Sequence, residues 1–344
     1  MTKHPKETER LKKIVDAFPR VTVTVLGDMV ADEFVFGEIS RVSREAPVLI
    51  LKHRERTVLP GGGANAANNL ADLGVNVLPV GLVGDDEPGR LLLKYFRHKR
   101  IAVSGVRKDK GYTTVTKTRI LAGMTHTSRQ QVVRIDREPS DGPNPHLTRE
   151  LYLSARNFAR VSDALLISDY GYGAATPAIV TALREKGKLS SLPMILDSRH
   201  RMLQYSGVTA ATPNEPEVEA ALGLHIGQDW DRLVAAGGQV MTQMQLQSLL
   251  ITRGRDGMVA FDHRHKPVDI PIVGSDQVAD VTGAGDTVIA AFTAALAAGA
   301  TTEEAAQLAN YAGGIVVMKR GTATVSRDEL LHVLDQTPPA TRPH

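Results

Sequence analysis

The chain has 344 residues, 42% of them hydrophobic, which suffices for one large α/β core or a core with a small lobe. Its 41 Lys and Arg against 38 Asp and Glu leave a formal charge of +3, with no long basic tract interleaved with aromatics, so nucleic acid is not an expected partner. The absence of cysteine excludes disulfides, zinc thiolates and thiol nucleophiles.

The first ten residues, Met1 to Arg10, are charged and carry no apolar signal core. The longest apolar stretch, Val288–Ala300, is too short for a bilayer, which needs about 20 residues. A soluble cytoplasmic protein with no membrane partner is predicted. The apolar run Val21–Leu26 reads as a buried strand, and Gly27-Asp28 closes it. A carboxylate there faces the crevice where open α/β sheets bind ligands, so Asp28 is a candidate to grip sugar hydroxyls; an ordinary turn aspartate is the alternative. Residues 33–54 then alternate like strands, with Phe34, Phe36 and Ile39 on or near a small sheet.

Pro60-Gly61-Gly62-Gly63-Ala64-Asn65 leads into a helix. Gly61 and Gly62 permit close backbone approach to a ligand, and Asn65 and Asn68 share a helical face whose amides suit sugar hydroxyls. A glycine turn before a close-packed helix would give the same pattern. Residues 112–136 alternate again. Lys117 and Arg119 fall on one side of their strand, as do Arg134 and Asp136, a set suited to a sugar that already carries a phosphate, or to a solvated face.

Further strands are expected at Val77–Val83, Ala164–Ser168, Met194–Asp197 and Leu249–Thr252. Helices are expected at Gly63–Leu73, Pro88–Arg100, Leu147–Ala159, Pro177–Lys186, Asp286–Ala298 and Thr302–Lys319. Thr176-Pro177 marks a helix start, and Thr301 with Glu304 and Ser326 with Glu329 read as capping boxes. This alternation predicts a mainly parallel sheet with helices on both faces. Asn214 and Glu217 share one face at a helix start and could order magnesium-bound water. Thr252 and Gly254 follow a strand, and Asn310 lies beside Gly313 and Gly314; small residues there admit an adenine or pack helices closely. His263 and His265 lie two apart with no third ligand near, which favours a solvated hairpin edge over a metal pair. The prolines of 336–344 predict a frayed end.

The most informative stretch is Val281-Thr282-Gly283-Ala284-Gly285-Asp286-Thr287. Gly283 and Gly285 let the backbone N–H groups of Ala284, Gly285 and Asp286 point into one hollow, and the helix that follows adds its positive end. Asp286 enters that hollow as a candidate general base. Anion cradle plus base is the minimum equipment for phosphoryl transfer; a capped tight turn is the plainer reading. No Walker motif occurs.

Gly27-Asp28, Gly61-Gly62, Asn214-Glu215-Pro216-Glu217 and Asp280–Asp286 together resemble the ribokinase (PfkB) family of sugar kinases over roughly residues 20–335. Val25–Gly37, Ser40–Val48, Gln131–Asp136, Ser168-Asp169-Tyr170 and Gly321–Val325 are similar to the heptose-7-phosphate kinases within it. The resemblance implies one ribokinase-like domain over 1–344, with an inserted β lid from about 33–54 and 112–136 that covers the sugar site and pairs two copies as a homodimer. It implies ATP and Mg2+ as cofactors and a phosphosugar acceptor, D-glycero-D-manno-heptose 7-phosphate. It also implies nucleotide contacts at Asn214, Glu217, Arg199, Thr252, Gly254 and Asn310. No His-x-Gly-His occurs, so the kinase is expected to stand alone. Two departures stand out. Arg44 replaces the proline of Ser-Pro-Glu-Ala-Pro-Val, and Asp197-Ser198-Arg199 replaces Asp-Pro-Lys, where arginine holds phosphate differently from lysine. Another acceptor, or a sugar sensor on a kinase fold, is the rival reading.

Overall fold

The computed structural model describes residues 4–123, 130–185, 187–273 and 279–336. The expected fraying of 336–344 falls, past Gln336, outside them. The central strands are β1 (Thr22–Gly27), β4 (Asn76–Gly84), β5 (Val106–Asp109), β8 (Ala164–Asp169), β9 (Met194–Ser198), β10 (Ala210–Ala211), β11 (Ser248–Thr252), β12 (Met258–Asp262) and β13 (His265–Ile270). They form one sheet in the order β13-β12-β11-β10-β9-β8-β1-β4-β5. Pairing is parallel from β5 to β11 and antiparallel only at the β11-β12-β13 edge. This is the α/β fold class expected, a mainly parallel sheet with helices on both faces.

The strands are apolar on both sides, as a sheet covered on both faces requires. In β8, Ala164 and Leu166 join one core, Leu165 and Ile167 the other. The first core packs α1 (His4–Ala17), α2 (Gly63–Asp72), α3 (Glu87–His98), α8 (Ala284–Ala297), α9 (Thr302–Val316) and α10 (Arg327–Gln336). The second packs α4 (Pro145–Ala159), α5 (Pro177–Arg184), α6 (Glu215–Leu222) and α7 (Trp230–Met244). Helix α8 is mostly apolar on every side because it is buried from Asp286 to Ala295. No helix of the described residues is long and apolar enough to cross a membrane. Both capping boxes form, at Thr301–Glu304 and Ser326–Glu329.

Helix α1 was not anticipated, although Leu11, Ile14, Val15 and Phe18 have helical spacing and are buried. The charges between them hid that stripe. A second sheet, ordered β3-β2-β6-β7, is built from β2 (Met29–Val42), β3 (Leu49–Gly62), β6 (Thr116–Gly123) and β7 (Gln130–Arg137). It starts and ends nearer the main sheet than the sequence suggested. The chain leaves at Asp28 and returns at Gly62–Gly63, where the Gly63 N–H donates to the Asp28 carbonyl at 3.0 Å. Gly61 and Gly62 therefore finish a strand, and the helix follows at once.

Candidate active site

Strand order reverses about β1, with β4 on one side and β8 on the other, and Gly27 lies level with Ser168. The crevice at such a switch point is the binding locus of an open α/β sheet. Three carboxylates stand there: Asp28 after β1, Asp169 at the end of β8 and Asp197 on β9. Asp28 is 1% exposed. Its Oδ2 accepts from the N–H groups of Tyr170 (2.8 Å) and Tyr172 (3.0 Å), and its Oδ1 from Ala174 (2.9 Å). Burial nevertheless pushes its pKa up to about 6. Asp28 therefore organises the 170–174 loop, and its Oδ1 accepts a single hydrogen bond among the described residues. Asp169 is likewise committed, to Arg201, Ser198 and the Tyr205 hydroxyl.

Asp280 fixes the approach to α8, accepting from the N–H groups of Thr282 (2.9 Å) and Gly321 (3.0 Å). Gly283 caps the helix at φ 78°, a left-handed conformation that favours glycine. The Ala284 N–H turns back to the Val281 carbonyl at 3.2 Å. The open donors of the turn, among the described residues, are thus the N–H groups of Gly285 and Asp286, fewer than the three expected. Asp286 is 4% exposed. Its Oδ2 accepts from Asn65 Nδ2 at 2.8 Å and its Oδ1 from the Tyr170 hydroxyl at 2.8 Å. Burial raises its pKa to about 7 against these two hydrogen bonds, where a general base works best.

Asn65 does not open toward a sugar. It is 0% exposed, and its Oδ1 accepts from Asn69 Nδ2, while Asn69 Oδ1 accepts from the Thr287 hydroxyl at 2.9 Å. The chain Thr287–Asn69–Asn65–Asp286 locks α2 to α8 and turns an amide N–H toward the Asp286 carboxylate. Gly61 and Gly62 also serve the protein. A β-carbon on Gly61 would stand 2.6 Å from Asp32 Oδ2, and one on Gly62 3.2 Å from the Tyr170 ring.

On the second sheet, Lys117 lies level with Asp136, and Arg119 with Arg134 and Phe34, so all share one face. Arg119 pairs with buried Asp32 and stacks on Phe34; Arg134 forms a two-point pair with Asp136 at 2.9 Å. Lys117, 8% exposed, has its ammonium 5.3 Å from the Tyr170 ring centroid and makes no ion pair among the described residues. Burial first, then Arg199, lowers its pKa. Phe34 is 5% exposed, so its part of this face is covered by the chain itself, while Arg134 and Asp136 on β7 remain exposed. The outer face carries Val35, Ile120, Val133 and Ile135, the last two 44% and 55% exposed. Phe34 thus lies on the small sheet as expected, and packing, which alternation cannot reveal, decided that it is covered.

Thr252, Gly254, Asn310, Gly313 and Gly314 converge on one largely apolar cavity of about 220 Å³ that also touches Ala284 and Gly285. Asn310 donates to the Pro271 carbonyl at 2.7 Å and fixes one wall. Asn214 and Glu217 form a capping box on α6, each side chain accepting from the other's N–H, and Asn214 bridges to Thr252. Arg199 is exposed and close enough to Asp197 and Glu217 to favour their ionised forms. Asp197, to which no role was assigned from sequence, makes no side-chain hydrogen bond among the described residues. Burial, then repulsion from Glu217 and Asp286, pushes its pKa well up. A larger cavity, about 580 Å³, lies at the far edge beside His263 and His265. There His265 meets Asp262 at 3.0 Å, and no metal-holding group of three ligands occurs among the described residues.

The buried carboxylate of Asp286 thus stands at the start of α8, beside a glycine turn whose Gly285 lines the apolar cavity. The profile of the pfkB family of carbohydrate kinases matches residues 23–329, and the chain belongs to that family. It is an ATP-dependent carbohydrate kinase, a phosphotransferase acting on a sugar hydroxyl. The Bifunctional protein HldE of Pelobacter propionicus is 37% identical over 327 residues, 94% of this chain and 66% of that protein. Its namesake in Gluconobacter oxydans is 38% identical over 330 residues, 95% and 67%. The chain thus spans about two thirds of the length of these relatives. The fold is similar to Arabidopsis thaliana ribokinase complexed with ribose and ATP (TM-score 0.70, 21% identity, 91% of this chain and 98% of that one). It is also similar to Escherichia coli phosphofructokinase-2 in complex with substrates and products (0.73, 18%, 92% and 98%).

Proposed function

We propose that this kinase transfers the γ-phosphoryl group of ATP to the anomeric hydroxyl of D-glycero-D-manno-heptose 7-phosphate, in the cytoplasm, on the route to ADP-heptose for lipopolysaccharide. The observation that carries the reading is the ionic face of the lid, Lys117, Arg119, Arg134 and Asp136, set on the same side as the buried base. The likeness to HldE proteins over nearly the whole chain supports it.

The acceptor hydroxyl gives its proton to Asp286 as its oxygen bonds to the γ-phosphorus, and the bond to the β-phosphate oxygen breaks to release ADP. The N–H groups of Gly285 and Asp286 hold the charge of the moving phosphoryl group. The adenine lies in the cavity of Thr252, Gly254 and Asn310. Arg199 meets the phosphates. The donor set fits Mg2+, since Asp197 and Glu217 are carboxylates near enough to repel each other's charge and a nucleotide-borne Mg2+ needs only one or two carboxylates plus water. Glu217, with Asn214 through water, would hold the ion, which neutralises phosphate charge. Lys117, near Asp32 and Asp136 but in no ion pair among the described residues, is the first contact for the substrate's own phosphate. Val133 and Ile135 on the outer lid face favour a homodimer formed lid to lid, since exposed apolar patches mark interfaces.

A coupled ADP-release assay with heptose 7-phosphate, ribose, fructose 6-phosphate and adenosine tests the reading. One charge-assisted phosphate contact predicts a kcat/KM about 10- to 150-fold higher for heptose 7-phosphate than for non-phosphorylated sugars. Preference for another acceptor would move the assignment within the family, and no turnover of any would favour a sugar sensor.

A further inference from the structure

We infer that Tyr170 is a positioning residue for the base: its hydroxyl holds Asp286 ionised and turned toward the acceptor, and its ring ties that arrangement to the lid. The inference rests on the reading of Asp286 as general base. Tyr170 follows β8 directly, at the switch point. Its N–H donates to Asp28 at 2.8 Å, so the residue cannot drift along the crevice. Its ring is seated between Gly62, where no side chain would fit, and the Lys117 ammonium 5.3 Å away. Its hydroxyl then reaches Asp286 Oδ1 at 2.8 Å.

The direction of that hydrogen bond is fixed by chemistry. Burial and then Asp286 itself raise the Tyr170 pKa well above its ordinary value, so the phenol keeps its proton and donates. Asp286 is faced by Asp32 from β2, Asp197 from β9, Lys117 from β6 and the Asn65 amide from α2. The two acids oppose its ionisation and the lysine assists it. Asn65 and Tyr170 each take one lone pair, on different oxygens, and leave one on each for an incoming hydroxyl. Removing the Tyr170 donor leaves the charges in place and takes away one hydrogen bond that selectively stabilises the anion.

Tyr170→Phe preserves the ring, the seat at Gly62 and the Lys117 contact, and removes the donor alone. Two readouts are taken. The first is a 13C NMR titration of protein labelled at aspartate carboxylates, with the Asp286 resonance assigned by its loss in Asp286→Asn. The second is the pH profile of kcat with ATP and heptose 7-phosphate. The Asp286 midpoint should rise from about 7 to about 8, and the acid limb of kcat should follow. Turnover at pH 6 then falls about tenfold relative to the unmodified enzyme, while turnover at pH 9 stays nearly equal. A midpoint that stays in place with Asp286→Asn inactive overturns this inference alone. A uniform fall of kcat at every pH, without movement of the limb, also overturns it, because it marks a purely structural tyrosine. Turnover surviving in Asp286→Asn overturns the base reading and this inference with it.

Discussion

Gly285→Ala should give a protein that folds at least as well as the original and has lost phosphoryl transfer. Gly285 is the second residue of α8, and an added β-carbon there would meet no atom within 4 Å. Its backbone dihedral lies outside the left-handed region, unlike that of Gly283, so alanine is not strained. Alanine in place of glycine inside a helix is worth up to about 1 kcal/mol, less in the first turn. For a chain of this size that raises the melting temperature by a degree or two at most, roughly. On the proposed mechanism the phosphoryl group approaches the Gly285 and Asp286 N–H groups through this open space, and Gly285 also lines the cavity shared with Asn310. A methyl group there keeps the phosphate from hydrogen-bond distance. Loss of such a donor contact costs about 10²–10³ in kcat. Thermal unfolding beside steady-state kinetics makes the test. Normal kcat and ATP KM in a well-folded Gly285→Ala would refute the anion turn; a drop in melting temperature would refute the claim that the space is empty.

Asp286→Asn should lower kcat by about 10²–10⁴ with nucleotide binding little changed, measured by single-turnover assay and calorimetry. The same substitution should stabilise the fold at high pH. The folded pKa of about 7 exceeds the unfolded value, so the stability Asp286 contributes is present below about pH 4 and lost as pH rises through 7. The variant's advantage, on the order of a few kcal/mol, should therefore be full above pH 7 and vanish near pH 4 in denaturant melts. Lys117→Ala should raise the sugar KM about 10- to 150-fold and leave the ATP KM alone, with a smaller effect for Arg119→Ala or Arg134→Ala, whose charges are already paired; equal KM values in all three would remove the phosphate reader. Ile135→Lys with Val133→Lys should turn a dimer into a monomer by light scattering, and an unmodified protein that is monomeric at micromolar concentration would exclude lid pairing.

The sequence determined the local chemistry. Apolar runs of strand length alternating with capped helices specified a covered parallel sheet, because period and burial are written into each segment. The Gly283–Asp286 turn was legible because glycine placement, helix start and carboxylate all lie within a few residues. Thr252, Gly254 and Asn310 were legible as small or polar positions, but only folding brought β11 and α9 onto one cavity. The partners of side chains were decided by tertiary structure. Asn65 and Asp28 looked like sugar ligands, since an amide on a helix face and a carboxylate past a strand suit hydroxyls. In the fold the Asn65 amide also donates to Asp286, and the Asp28 oxygens accept from the 170–174 loop. Both contacts join residues more than a hundred positions apart, and no periodicity encodes such a pairing. The side of the lid that Phe34 occupies was fixed the same way. Alternation specifies two faces of a strand, but which face is covered depends on what the rest of the chain lays against it.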